Sequence, residues 1–238
     1  MQFKFTIIVP VYNEEDNLKR LEDELLAYIR TSEISTKILF VNDGSTDESL
    51  TSIESICKRN IDFSFLSFDK NYGLSSAIKA GFDYTETEFV GYIDADLQTS
   101  PKDFNLLLEH MNDNDLATGV RTHRNDSLSK KVSSKISNSI RRLFTKDGMD
   151  DTGCPLKVIK TEYAKRIPMF RGLHRFLPAM VLLQDGNIKQ IPIQHFPRVA
   201  GSSKFGIKNR LLGPLADCFA YLWMKKKTIN YKVSKQQL

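Results

Sequence analysis

The sequence predicts an α/β fold, a mainly parallel sheet with helices packed on both faces. Two patterns carry that expectation. β-Branched runs of strand length alternate with segments of helical periodicity, and a polar turn cluster closes each run. A chain of 238 residues, 41% hydrophobic and 26% charged, can bury such a sheet as one large domain.

The elements follow in order. "FKFTIIVPVY" reads as a strand ending near Pro10. "EEDNLKRLEDELLAYIR" then places Leu18, Leu21, Leu25 and Ile29 on one helical stripe, with acidic residues in the first turn. "KILFVND" is a second strand, after which Gly44 supplies a turn and Ser45 or Thr46 a helix cap. The helix "ESLTSIESICKRN" and the strand "FSFLSF" come next. "NYGLSSAIKAGFDYT" reads as a helix opened by a glycine turn, and "EFVGYID" as a strand. "PKDFNLLLEHMND" is expected to be a helix with Pro101 in its first turn, followed by the strand "DLATGVR".

After Arg121 the pattern changes. "SLSKKVSSKISNSIRRLFTK" sets Val132, Ile136, Ile140 and Leu143/Phe144 on one stripe and Lys130, Lys131, Lys135, Arg141, Arg142 and Lys146 on other faces. Such a helix packs on a core or lies in a membrane interface. The segment from 204 to 227, "KFGIKNRLLGPLADCFAYLWMKKK", repeats the theme, with Lys225–Lys227 at its end. Charge separates along with pattern. Residues 1–120 hold 10 Lys+Arg against 22 Asp+Glu, a balance of −12; residues 121–238 hold 24 against 7, a balance of +17. An acidic half suits cations, and a basic half suits a polyanion or an anionic leaflet, where each cation is worth roughly 1 kcal/mol. Nucleic acid is the poorer match, because the basic half lacks interleaved stacking aromatics.

Other classes are excluded by what the motifs lack. Cys57, Cys154 and Cys218 are few, odd in number and far apart, as expected of thiols in a reducing compartment rather than a zinc site. The four histidines show no metal spacing; only His195, close to Arg198, stands out. Neither a P-loop nor a Gly-x-Gly-x-x-Gly fingerprint occurs. No signal peptide and no uncharged run of about 20 residues is visible, so the expected protein is soluble or surface-bound.

In a parallel sheet, ligands collect beyond the carboxyl ends of the strands. Four polar clusters are expected there: Asn13-Glu14, Asn42-Asp43, Asp94-Asp96 and Gly119-Arg121. In "YIDADLQTSP", Asp94 and Asp96 sit at i and i+2 in what reads as an extended segment, so both carboxylates are expected on one face. Adjacent carboxylates repel unless a cation lies between them, and hard oxygen donors suit Mg²⁺ or Mn²⁺, with the Gln98 carbonyl as a further ligand. Asp43 either caps the following helix as an Asx-turn or accepts hydrogen bonds from a base or ribose.

Together, "IIVPVYNEEDNL", "VNDGSTDES", "KNYGLSSAIKAGF", "YIDADLQTSP" and "GVRTHRNDS" resemble the family 2 glycosyltransferases of GT-A fold, a Rossmann-like architecture. "DDTGCPLKVIK" and "HFPRVAGSSKFG" are similar to the polyprenol-phosphate branch, which includes dolichol-phosphate mannose synthase and undecaprenyl-phosphate sugar transferases. The resemblance spans roughly residues 4 to 210. It implies a GT-A domain over 1–210, with a nucleotide-sugar half (1–120) and an acceptor half (121–210), and a basic amphipathic segment over 211–238. It further implies metal-dependent, inverting transfer of a sugar from a nucleotide diphosphate to a polyprenyl phosphate. By this resemblance Pro10, Tyr12, Glu14, Asp43, Lys70, Asp94 and Ala95 hold the nucleotide sugar. Asp94, Asp96 and Gln98 surround Mg²⁺ or Mn²⁺. Arg121, Lys130, Lys131, Ser134, Arg198 and Lys204 hold acceptor phosphate, and Asp94, Asp96, Arg121 and Arg198 are the catalytic set. Relatives of this type often carry membrane-spanning C-terminal helices, and none is visible here, so attachment is expected to be peripheral, from the cytoplasm onto the inner face of the cell membrane. Many also have arginine where this chain has Lys157, which gives up a bidentate fork.

Two rivals stand beside this reading. A transferase of the same fold acting on a sugar hydroxyl would need a general base, for which Asp150 or Asp151 is placed. A catalytically silent membrane-surface scaffold would keep the fold without the need for Asp94, Asp96 and Arg121.

Overall fold

The computed structural model describes residues 2–122, 141–197, 212–230 and 234–235. Strands β1 (Phe5–Val11), β2 (Thr36–Asn42), β3 (Phe63–Ser67), β4 (Phe89–Tyr92), β5 (Leu116–Arg121), β6 (Lys157–Lys160) and β7 (Ile188–Ile193) form one sheet in the order β3-β2-β1-β4-β6-β5-β7. Pairing is parallel throughout except that β6 runs antiparallel to both β4 and β5. Two reversals across β6 cancel, so β1, β2, β4 and β5 all point their carboxyl ends to the same edge.

The helices are α1 (Glu15–Thr31), α2 (Ser49–Arg59), α3 (Leu74–Tyr84), α4 (Asp103–Leu108), α5 (141–145), α6 (Thr161–Arg166), α7 (Leu177–Leu182) and α8 (Leu212–Lys227), with a 3₁₀ turn at Leu173–Phe176 before α7. Side chains of β1 alternate across the sheet with the period of two that a strand imposes. Phe5, Ile7 and Val9 enter a core with Leu18, Leu21, Phe40 and Phe104, while Ile8 enters a second core with Ile78, Phe82, Val90 and Phe176. Both faces are buried, which is why these strands read as unbroken apolar runs.

Three expectations change in the structure. The α4 helix is shorter than its sequence pattern, and Pro101 precedes it. Phe104 N–H bonds to the Pro101 carbonyl (3.0 Å) and Met111 N–H to the Leu108 carbonyl (3.0 Å), so tight i→i−3 turns flank a short α-helical centre. The short strand β6, absent from the predicted elements, fills the sheet between β4 and β5 with Lys157 facing inward. Arg141 does not join a solvated basic face. It is buried, paired with buried Asp147, and donates from Nη2 to the Met149 carbonyl (3.1 Å).

The C-terminal helix α8 is docked. Cys218 and Tyr221 enter the second core, and Tyr221 stacks on Phe176 at 6.1 Å between ring centroids. Its outer side is aromatic: Phe219 is 59% exposed and Trp223 65%; Leu143 of α5 is 74% exposed. Phe144 joins the two helices edge-on to Phe219 at 5.3 Å. Lys225, Lys226 and Lys227 fill the last turn, where cations complement the helix dipole.

Candidate active site

The loops after β1 and β2 are laced together at the common edge. Asn13 takes φ +52°, a conformation asparagine tolerates better than most residues. Its N–H bonds to Ser45 Oγ (3.0 Å), and its side-chain carbonyl accepts the Thr46 N–H (2.8 Å). Glu14 N–H bonds to Ser49 Oγ (2.9 Å), and Glu48 N–H to Glu15 Oε2 (2.8 Å). Ser45 and Thr46 therefore do not cap α2, which starts at Ser49 without a side-chain cap; they bind the neighbouring loop instead. Pro10, Tyr12 and Glu14 are half-buried along this edge, and the Glu14 carboxylate also accepts from Asn17 Nδ2 (2.7 Å).

Asp43 does something local sequence could not display. Its buried carboxylate clamps the turn before α3, accepting from Tyr72 N–H (2.7 Å), Gly73 N–H (2.9 Å) and Asn71 Nδ2 (2.9 Å). Burial pushes its pKa up, and the Tyr72 and Gly73 amides pull the other way. Gly44 makes this approach possible. At φ +64° it lies against the Lys70–Asn71 backbone, and a Cβ there would fall 2.6 Å from the Asn71 nitrogen. Lys70 itself is exposed, with Nζ 5.3 Å from the Tyr72 ring centre. The turn after β2 and the turn before α3 are thus one unit.

Strand β4 ends at Tyr92, and Asp94–Gln98 forms a turn rather than an extended segment. The same-face argument for Asp94 and Asp96 therefore fails. Leu97 takes φ +52°, and its N–H reaches the Asp94 carbonyl at 3.3 Å. Asp96 is buried and its Oδ1 accepts the Gln98 N–H (3.2 Å); Asp94 is half-buried and Ala95 buried. The Gln98 carbonyl accepts from Phe196 N–H (2.9 Å), which ties this loop to the chain leaving β7. Among the described residues no cluster of three or more His, Cys, Asp or Glu side chains is arranged to hold a metal. Two carboxylates on a braced turn still fit Mg²⁺ or Mn²⁺, since such ions take one or two protein carboxylates and complete their shell with water and phosphate oxygens.

At the end of β5, Arg121 is locked. Its Nε and Nη2 donate to the two oxygens of Asp151 (2.7 and 2.9 Å), and its backbone N–H also reaches Asp151 Oδ2 at 3.3 Å. Both side chains are largely buried, and Asp151 holds the guanidinium pKa above its usual value against the pull of burial. Asp150 faces outward to Arg142 at 2.6 Å. Lys157 is fully buried beneath Tyr92, its Nζ 5.5 Å from that ring centre and bonded to the Thr152 and Cys154 carbonyls. Burial lowers its pKa. It braces the 152–154 turn from below rather than presenting a cation to a ligand. Lys130, Lys131, Ser134, Arg198 and Lys204 lie outside the described residues.

The structure adds one pair that no spacing announced. Ser75 at the start of α3 meets His174 of the 3₁₀ turn at 2.8 Å, across 99 residues of chain.

A family model described as Glycosyl transferase family 2 matches residues 6–167. A dodecaprenyl-phosphate galacturonate synthase of Rhizobium johnstonii is 28% identical over 86% of this chain and 62% of its own length. An undecaprenyl-phosphate 4-deoxy-4-formamido-L-arabinose transferase of Pectobacterium atrosepticum is 33% identical over 84% of this chain and 62% of its own. The chain thus spans less than two thirds of the length of these relatives. Among solved structures, glucosyl-3-phosphoglycerate synthase of Mycobacterium tuberculosis with Mn²⁺, UDP and its product superposes with TM-score 0.68 at 13% identity, over 94% of this chain and 80% of that one. A Pyrobaculum calidifontis mannosyltransferase with GDP-mannose and Mn²⁺ gives TM-score 0.66 at 16% identity, over 92% and 64%.

Proposed function

Because the chain belongs to glycosyl transferase family 2, we propose that it transfers a sugar from a nucleotide diphosphate donor to a polyprenyl phosphate in a single inverting displacement. One observation carries the reading. The Asp94–Gln98 turn is braced at the carboxyl edge of the sheet, with the Asp43 clamp on one side and the Arg121–Asp151 pair on the other. The family relatives described above act on dodecaprenyl or undecaprenyl phosphate, in keeping with this acceptor.

In this reading Pro10, Tyr12, Glu14, Asp43 and Lys70 line the nucleoside side, and Ala95 packs under the diphosphate. A Mg²⁺ or Mn²⁺ ion held by Asp94 and Asp96, with Gln98 alongside, would offset the negative charge that develops on the leaving diphosphate. The acceptor decides whether a base is needed. A phosphate monoester has a second pKa of about 6 and attacks as a dianion near neutral pH, so it requires positioning rather than deprotonation. In this reading Lys130, Lys131, Ser134, Arg198 and Lys204 supply that positioning together with Arg121. The rival base candidates are poorly suited to take a proton: Asp151 is chelated by Arg121, and Asp150 pairs with Arg142. A screen of UDP- and GDP-sugars by thermal shift with Mn²⁺ identifies the donor. Transfer from that donor to a short polyprenyl phosphate, but not to oligosaccharides, is the expected result. Transfer to oligosaccharides alone would overturn the acceptor assignment.

The same reading places the protein at the inner face of the cell membrane. Phe219 and Trp223, one turn apart on α8, expose apolar surface just ahead of Lys225–Lys227, the pairing of wedge and cations that suits an anionic leaflet, and Leu143 of α5 is exposed as well. No described helix is long and apolar enough to cross a membrane. Trp223 is the sole tryptophan of the chain, so its emission reports directly on insertion. Anionic vesicles at low salt are expected to shift that emission to the blue and to co-sediment the protein. Trp223→Ala is expected to weaken sedimentation, and unchanged emission would count against this surface.

A further inference from the structure

Ser75 and His174 form a built pair that the reading above does not use. Ser75 is buried in the first turn of α3, directly after the Asn71–Gly73 turn that Asp43 clamps. Its Oγ accepts the Gly172 N–H at 3.0 Å and lies 2.8 Å from His174 Nδ1. Gly172 takes φ +95° and has no room for a side chain against Asp217 of α8, so this amide is held in place. The proton arithmetic then fixes the imidazole. A backbone N–H can only donate, and among the described residues His174 Nδ1 is the one acceptor bonded to the Ser75 hydroxyl. Ser75 therefore donates to Nδ1, Nδ1 carries no proton, and the proton of the neutral ring resides on Nε2. A charged ring would need Nδ1–H to donate to Ser75, which would strand the serine hydrogen.

The surroundings agree. His174 is half-buried, and burial together with the nearby Arg175 and Lys157 cations lowers its pKa to about 3. Nδ1 is engaged by Ser75, whereas Nε2 makes no hydrogen bond among the described residues and is not one of their buried unpartnered atoms, so it is open to solvent. Through Ser75, His174 sits beside the Asp43-clamped turn, and Lys157 is near enough to disfavour a charge on its ring.

We infer that His174 is a ligand-positioning residue whose Nε2–H donates to an oxygen in the sugar-diphosphate portion of the nucleotide sugar, with Ser75 setting its tautomer. The inference rests on nucleotide-sugar binding as proposed above, but not on the identity of the acceptor. The ligand chemistry is an uncharged hydroxyl or a phosphate oxygen, either of which accepts from a neutral N–H. Lysine or arginine here would add charge; a neutral donor adds direction.

The test uses the full chain labelled with ¹⁵N at histidine. Long-range ¹H–¹⁵N spectra are expected to show an unprotonated Nδ1 and a protonated Nε2 for His174 between about pH 5 and about pH 8, where free histidine would titrate. UDP, GDP, UDP-glucose and GDP-mannose are then added with Mn²⁺, with thermal shift as the independent measure of binding. Movement of the Nε2–H resonance on adding a nucleoside diphosphate assigns the bond to the diphosphate; movement with a sugar nucleotide alone assigns it to the sugar. Binding without any change at His174 overturns the inference and leaves the proposed function standing. A chain that binds none of the four overturns both. His174→Phe is expected to raise KM for the donor about tenfold, the worth of one neutral hydrogen bond, with a smaller change in kcat. His174→Gln, which keeps a neutral donor, is expected to recover part of that loss. Ser75→Ala is expected to mix the two tautomers in the same spectra, whereas an unaltered single tautomer in this variant would refute the role of Ser75.

Discussion

Asp96→Asn is expected to abolish metal-dependent transfer almost as completely as Asp96→Ala, with both falling about a hundredfold to a thousandfold, the cost of losing one preorganised group that stabilises developing charge. The comparison works because the two substitutions differ in what they break. Asp96 Oδ1 accepts the Gln98 N–H, and the asparagine carbonyl can accept the same bond. Asparagine therefore preserves the turn and removes only the charge, whereas alanine removes both. If the carboxylate serves chiefly as a cation ligand, the two variants coincide in activity and differ slightly in melting temperature. If it serves chiefly to brace the loop, asparagine retains near-normal transfer and the metal assignment is wrong. EDTA supplies the second arm. It should suppress the wild type to the level of the variants and leave their residual rate unchanged, with activity of the wild type restored by excess Mn²⁺ or Mg²⁺. A residual rate in Asp96→Asn that still falls with EDTA would locate the cation on other groups.

How much of this was legible beforehand depended on whether the signal was local. The strands of the first half announced themselves because both faces of β1 and β2 are buried, which turns "FTIIVPV" and "KILFVN" into apolar runs. The edge carrying Asp43, Asp94 and Arg121 followed from parallel topology alone. Side-chain roles were harder to read, because their partners lie far away in sequence. Asp43 looked like the cap of its own turn and instead holds one 28 to 30 residues later. Asp151 looked like a free carboxylate that could act as a base and is the chelating partner of Arg121, 30 residues before it. Lys157 looked like a weakened arginine, and burial in β6 makes it a backbone brace. Arg141 sat in a basic run, yet it turned inward to Asp147. Charge patterns record how many cations a segment carries, and packing decides which of them meet solvent.

Breaking the Arg121–Asp151 pair from one side is expected to cost about 3–5 kcal/mol of stability, because an uncompensated charge is left in a largely buried site. For a chain of this size that corresponds to a fall of about 6–20 °C in Tm for Asp151→Ala. Lys157 sharpens the effect: Asp151 is among the few anions near its buried ammonium, so removing the carboxylate leaves two neighbouring cations to repel one another. Removing both partners should behave differently. Replacing a buried ion pair by apolar groups of similar volume is often neutral or stabilising, so Arg121→Met combined with Asp151→Leu is expected to regain most of the lost Tm. Activity should not return with it, since the rigid polar wall at the end of β5 is gone. This divergence between melting and turnover separates a pair that organises the site from one that merely holds the fold. It also judges the hydroxyl-acceptor rival. Were Asp151 the general base, the wild type would transfer to oligosaccharides and Asp151→Asn would lose that transfer. The expected result is a clear drop in Tm for Asp151→Asn, no oligosaccharide transfer in the wild type or any variant, and polyprenyl phosphate transfer that declines in step with loss of the guanidinium's fixed geometry.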